Sequence, residues 1–153
     1  RLNIFLEYLD KGSVRDRLER EGRMSEAETA GITKKFLAGL AYLHSQGITH
    51  RDIKGANVLL SRGGAVKLAD FGTSKLVNQE SVMSGLKGTP HWMAPEVIRD
   101  QQQGHEGWIR ADVWSVGCMV IEMLTGKRPW PDVPNAVAVM FKIARGMTPP
   151  IDR

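Results

Sequence analysis

The chain has 153 residues, 42% apolar and 25% charged, a globular balance that excludes intrinsic disorder. Its net charge of +4 is scattered without a long Lys/Arg run, so the basic excess reads as solvated surface and not as a nucleic-acid face. A single cysteine, Cys118, excludes an internal disulfide framework and suits a reducing, cytoplasmic setting; no stretch of about 18 apolar residues offers a membrane span. The chain opens on Arg1 within a mostly apolar stretch and looks cut from something larger, so the lack of a visible targeting segment says little.

Ile4-Phe5-Leu6 reads as a short buried strand. Lys11-Gly12-Ser13 breaks it, and Ser13 is placed to cap a short helix through Leu18. Ser25 with Glu28 forms a capping-box pattern. Ala30, Phe36, Leu37, Leu40, Ala41 and Leu43 then keep helical spacing to a stop at Gly47. Asn57 to Leu60 and Val66 to Ala69 read as two strands joined by an Arg62-Gly63-Gly64 turn. Residues 72–90, rich in Ser, Thr, Gly and Lys, show no sustained period and read as a long functional loop. A helix from Ala111 to Thr125 is apolar on nearly all sides and is expected to be buried centrally, with Val113 and Val116 in the core, until Gly126 ends it. Pro129, Pro131 and Pro134 make an extended connection, after which Asn135 caps a last helix to about Arg145.

Three strings carry the chemistry. They are His50-Arg51-Asp52-Ile53-Lys54-Gly55-Ala56-Asn57, then Asp70-Phe71-Gly72, then Ala94-Pro95-Glu96. In that order and spacing the chain resembles the eukaryotic protein kinases, from Arg1 to Arg153. The resemblance implies a mainly α fold with short β hairpins, the C-terminal lobe of a kinase domain over residues 1–153 without its β-rich N-terminal lobe. Moving a phosphoryl group requires in-line positioning and neutralisation of negative charge, and a carboxylate with an amide oxygen suits Mg²⁺, a hard ion.

By the resemblance, Asp52 orients the substrate hydroxyl, Lys54 reaches the transferred phosphate, and Asn57 and Asp70 hold the metal beside ATP. Glu7 and Leu9 belong to the hinge that meets adenine, with Leu6 as gatekeeper; Leu59 lies under the ring and Ser13 near the ribose or simply as a cap. His50 is expected to pack beneath Phe71 as structure, not as a catalytic group. Asp112 is expected to bond the backbone of the catalytic loop, since a carboxylate in so apolar a helix needs donors.

Lys54 and the Gly88-Thr89-Pro90 string imply Ser/Thr specificity, with Thr89 near Asp52 and Lys54. The longer string from Gly88 to Ile98, with Glu7-Tyr8 and Gly12-Ser13-Val14, is similar to the mitogen-activated protein kinase kinase kinase group; the p21-activated and sterile-20-like kinases are the alternative. The first implies a protein substrate that is itself a kinase, and an activating kinase or adaptor upstream. Arg51 is expected to meet a phosphate on the loop, with Thr73, Ser74, Ser81, Ser84 and Thr89 as acceptors and Ser81 or Ser84 favoured. Lys67, in Ala65-Val66-Lys67, imitates the ATP lysine but precedes Asp70 directly and is rejected for that role. With no glycine-rich loop, no strand lysine and no arginine to pair with Glu96, these residues alone are expected to be inactive. A scaffold or pseudokinase reading and a small-molecule phosphotransferase reading compete, both weakened by the intact motif set.

Overall fold

The computed structural model describes residues 3, 5–76, 89–101 and 104–151. Helix α1 (Val14–Glu21) starts on a complete capping box: Asp16 N donates to Ser13 Oγ and Ser13 N to the Asp16 carboxylate. Helix α2 (Glu26–Ser45) starts at Ser25, whose Oγ accepts from Glu28 N. The Glu28 carboxylate turns instead to Arg17 at 3.1 Å, so this is a simple cap and the reciprocal arm expected from the pattern goes to an ion pair. Of the expected stripe Phe36 and Leu40 are buried, while Ala30, Leu37 and Ala41 face out; the core takes a narrower face. Gly47 follows with φ 71°, the left-handed stop that glycine permits.

Strand β1 (Ile48–Thr49) follows, then β2 (Val58–Leu60) and β3 (Val66–Leu68), which form the expected antiparallel hairpin with Leu59 opposite Lys67. Strand β4 (Lys75–Leu76) pairs with β1, a contact that no local pattern announced. Each of these two strands is two residues long, too short to carry a period of its own. Helix α3 (Pro95–Ile98) is one turn. Helix α4 runs Gly104–Thr125, seven residues earlier than the apolar pattern suggests, because its polar first turns carry no hydrophobic period. Helix α5 (Ala136–Ala144) is capped by the Asn135 side chain as expected.

The main core joins Val14 and Leu18 of α1, Phe36 and Leu40 of α2, and Met119 and Met123 of α4. Burying each such side chain stabilises the fold by about 1.5–3 kcal/mol. Helix α4 is thus central, but not on every side. Val113 is 56% exposed, a correction to its expected place in the core: the buried faces carry Asp112, Val116, Met119 and Met123, and Val113 lies off them. Cys118 is buried, and burial first, then the nearby Glu122 charge, push its thiol up to about 12.

The expected buried strand at the N-terminus is absent. Phe5 and Leu6 are 93% and 85% exposed and form no strand, because no described element pairs with them or covers them. Ile4 lies outside the described residues. No helix among the described residues is long and apolar enough to cross a membrane.

Candidate active site

Between β1 and β2 the chain passes through residues 50–57, and helix α4 fixes its path from beneath. His50 N and Arg51 N donate to the two Asp112 carboxylate oxygens at 2.9 and 2.8 Å. His44 Nε2 lies 2.8 Å from the same carboxylate. Asp112 is only 1% exposed, so these partners offset the cost of burying its charge. The expectation that Asp112 holds the loop is met at both peptide groups. Arg51 adopts φ 72°, an uncommon conformation for a residue with a side chain, sustained by these bonds.

That turn presents Asp52 to a cluster of donors. Lys54 Nζ donates to Asp52 Oδ2 at 2.7 Å and to Thr89 Oγ1 at 2.7 Å. Thr89 Oγ1 in turn donates to Asp52 Oδ1 at 2.8 Å. Asn57 Nδ2 donates to the Asp52 backbone oxygen and to Oδ2, at 2.8 and 3.0 Å. Burial works to raise the Asp52 pKa, but the bonds from Lys54, Thr89 and Asn57 and the Lys54 charge outweigh it. The carboxyl is held below its ordinary value and stays ionised at neutral pH. Thr89 therefore has the structural task expected of it.

The second arm is tied to the first through backbone. Ala69 N donates to the Asn57 oxygen at 2.9 Å, which sets Asp70 beside the Asn57 turn. His50 Nε2 lies 3.0 Å from the Ala69 oxygen, and its ring meets Phe71 at 5.4 Å between centroids. His50 is buried and packs as the structural stack that the sequence implied. Asp70 sits at φ 61° with Oδ1 accepting from Gly72 N, and is exposed. Among the described residues no set of three His, Cys, Asp or Glu side chains forms a metal cluster. The Asn57 Nδ2 bonds leave its amide oxygen as the acceptor; that oxygen and the exposed Asp70 carboxylate are donors of the kind a hard divalent ion prefers.

The remaining site residues lie along the hairpin. Leu60 N donates to Gly12 O at 2.8 Å and Lys11 N to Leu60 O at 3.1 Å, so residues 11–12 are laced to β2. Leu9 is buried, and Leu59 is half-buried and bridges to Ser13. Ser13 is 6% exposed and its hydroxyl both donates to and accepts from Asp16, so its side chain is committed to the helix cap. The Glu7 side chain is exposed and pairs with Lys67 at 2.7 Å, which also gives the rejected lysine its own occupation. Ser81 and Ser84 lie outside the described residues; Thr73 and Ser74 hydroxyls donate to His50 O.

One residue of the site went unforeseen. Glu122, 2% exposed on α4, accepts from Gly55 N at 3.0 Å and from Trp92 Nε1 at 3.1 Å, bracing the catalytic loop against the turn Pro90–Trp92. The burial reasoning that singled out Asp112 applies equally to this carboxylate in the same apolar run.

Burial raises the Glu122 pKa, against the opposing pull of the Gly55 and Trp92 bonds and of the Arg15 and Lys54 charges. A carboxyl raised in the folded state binds its proton better there. Its stabilising contribution is complete below the ordinary glutamate range and is lost as pH rises through the raised value. Glu122→Gln keeps an acceptor for Gly55 without the charge, so it is expected to flatten this segment of the stability–pH curve. Urea unfolding at a series of pH values upward from the ordinary glutamate range, about 4.3, checks it, and an unchanged slope refutes it.

The protein kinase domain model matches residues 1–149. The chain belongs to the protein kinase family. This kinase chain is 50% identical over 98% of its length to mitogen-activated protein kinase kinase kinase ANP1 of Arabidopsis thaliana, of which it covers 22%. It is 49% identical over 97% of its length to human mitogen-activated protein kinase kinase kinase 3, covering 24% of that protein. It is 44% identical over 98% of its length to the kinase kinase kinase mkh1 of Cytospora mali, covering 8%. The kinase chain thus spans less than a quarter of each of these relatives. Its resemblance to the kinase kinase kinase group, inferred above from Gly88 to Ile98, is shown by these relatives. The architecture, mostly helical with small antiparallel strand pairs, agrees with a part of a kinase domain.

Proposed function

We propose that residues 1–153 form the catalytic lobe of a serine/threonine protein kinase that transfers the γ-phosphoryl group of ATP to a hydroxyl of a protein substrate, itself a kinase. One observation carries the reading: an ionised Asp52 held from several sides by Lys54, Thr89 and Asn57. A scaffold has no use for a carboxylate so carefully positioned. Asp52 accepts the proton of the incoming hydroxyl as its oxygen bonds to phosphorus and the bond to the leaving phosphate breaks. Lys54, bonded to Asp52 and Thr89, offers a point charge to the phosphoryl oxygens.

Asn57 and Asp70 would hold Mg²⁺, which when bound neutralises charge on the phosphates. The adenine edge would meet the Glu7 carbonyl and the Leu9 backbone, with Leu59 under the ring; Ser13, its hydroxyl held in the helix cap, would border the ribose without bonding it. An upstream kinase or adaptor would act through the loop that contains Ser81 and Ser84, and the setting would be the cytoplasm. The residues here, without a glycine-rich loop and ATP lysine, are proposed to be inactive by themselves.

The natural full-length protein is expected to phosphorylate a kinase substrate on serine or threonine when given Mg-ATP. Phosphoamino-acid analysis of the product reads the outcome; phosphotyrosine, or no transfer, overturns the proposal.

A further inference from the structure

Beside the catalytic loop lies a groove of about 300 Å³, lined by Arg15, Leu18 and Glu19 of α1, by Glu122, and by Lys127 and Arg128 after α4. Its position is fixed by Glu122, which bonds the peptide N–H of Gly55, the residue after Lys54. Through Glu122 the wall of the groove is joined to the loop that carries Asp52 and Lys54.

The charges facing it are unequal. Arg15, Lys127 and Arg128 are cationic, opposed by Glu19 and Glu122. Glu122 is buried and its carboxylate already accepts from Gly55 and Trp92, so it has little left for a ligand. Glu19 is taken by Arg15 at 2.6 Å. Lys127 and Arg128 are exposed, and among the described residues neither has an ion-pair partner. Arg17, Arg20, Arg62 and Lys67 on other surfaces each meet a carboxylate. Two unpaired cations at the mouth of a concave surface focus a positive potential there. Leu18 and Pro131 supply an apolar wall for the stem of an incoming side chain.

We propose that this groove selects protein substrates carrying acidic side chains close to the hydroxyl that is phosphorylated, with Lys127 and Arg128 as the specificity-determining residues. The inference rests on the kinase reading of the site and adds the charge of the substrate to it. Carboxylates and a previously added phosphate share the chemistry, and the test separates them.

The experiment measures binding of fluorescent peptides to the natural full-length protein by anisotropy. The peptides share one serine and differ only in flanks of Glu, Ala, Lys or phosphoserine. The Glu peptide is expected to bind about 3–10-fold more tightly than the Ala peptide. That advantage shrinks as salt rises from about 0.05 to about 0.5 M. The double substitution Lys127→Glu and Arg128→Glu is expected to reverse the order of the Glu and Lys peptides and leave the Ala peptide unmoved. A phosphoserine peptide that alone shows the advantage assigns the groove to phosphate and overturns the carboxylate reading. Equal binding of all peptides by the unmodified protein overturns the proposal without any variant. A parallel transfer assay keeps the two readings apart: tight binding of the Glu peptide without phosphorylation refutes the kinase activity and leaves the acidic-peptide surface standing.

Discussion

Asp52→Asn is expected to lower the phosphoryl-transfer rate of the natural full-length protein by about 10²–10⁴-fold, the usual worth of a positioned base. That corresponds to about 2.7–5.5 kcal/mol of barrier. The physical reason is local. Asp52 accepts bonds from Lys54, Thr89 and Asn57 and is kept ionised by them, so it is ready to take a proton. An asparagine keeps one oxygen for Thr89 and the same shape, so the fold is expected to hold while the basic group is lost. Single-turnover kinetics at saturating Mg-ATP reads the chemical step, and a circular dichroism melt confirms the fold. A rate within about threefold of the unmodified protein removes Asp52 from the mechanism, since less than about 1 kcal/mol would then be at stake.

Asp112→Ala is expected to be the most damaging single change to the fold, costing about 3–5 kcal/mol. Its carboxylate serves His50 N and Arg51 N and lies 2.8 Å from His44 Nε2, all in a site where water cannot replace it. Truncation leaves two peptide N–H groups without an acceptor, each costing about 1–3 kcal/mol. It also removes the bond at Arg51 N, one of the contacts that hold this residue in a left-handed conformation. Urea denaturation measures the loss. A change below about 1 kcal/mol would mean that the loop holds itself, because a typical single hydrogen bond is worth that much.

Much of this site is legible in the residue order because its parts are short and local. Ser13, Ser25 and Asn135 cap their helices, since a cap needs only a side-chain oxygen and the next turn. The β2–β3 hairpin closes over five residues, so its turn chemistry sufficed. Asp52, Lys54 and Asn57 fall within six residues of chain, and a loop that short brings them together on any reasonable path.

Other features depend on partners distant along the chain. Glu122 reaches Gly55 and Trp92 across 67 and 30 positions, and the β1–β4 pair joins Ile48 to Leu76. No window of sequence contains both members of such pairs. Phe5 and Leu6 look like core by composition and stand exposed, because burial is a property of what lies opposite.

The sequence by itself determined the family and the starts of α1, α2 and α5, and it named the candidate reacting groups, since these rest on residue identity and on interactions within a turn or two. Tertiary structure alone decided that Val113 faces outward, that Glu122 braces the catalytic loop, and that Arg15, Lys127 and Arg128 share one groove. Each of those outcomes depends on which surfaces of α1, α4 and the following connection are pressed together, and side-chain chemistry becomes a site only after that packing is fixed.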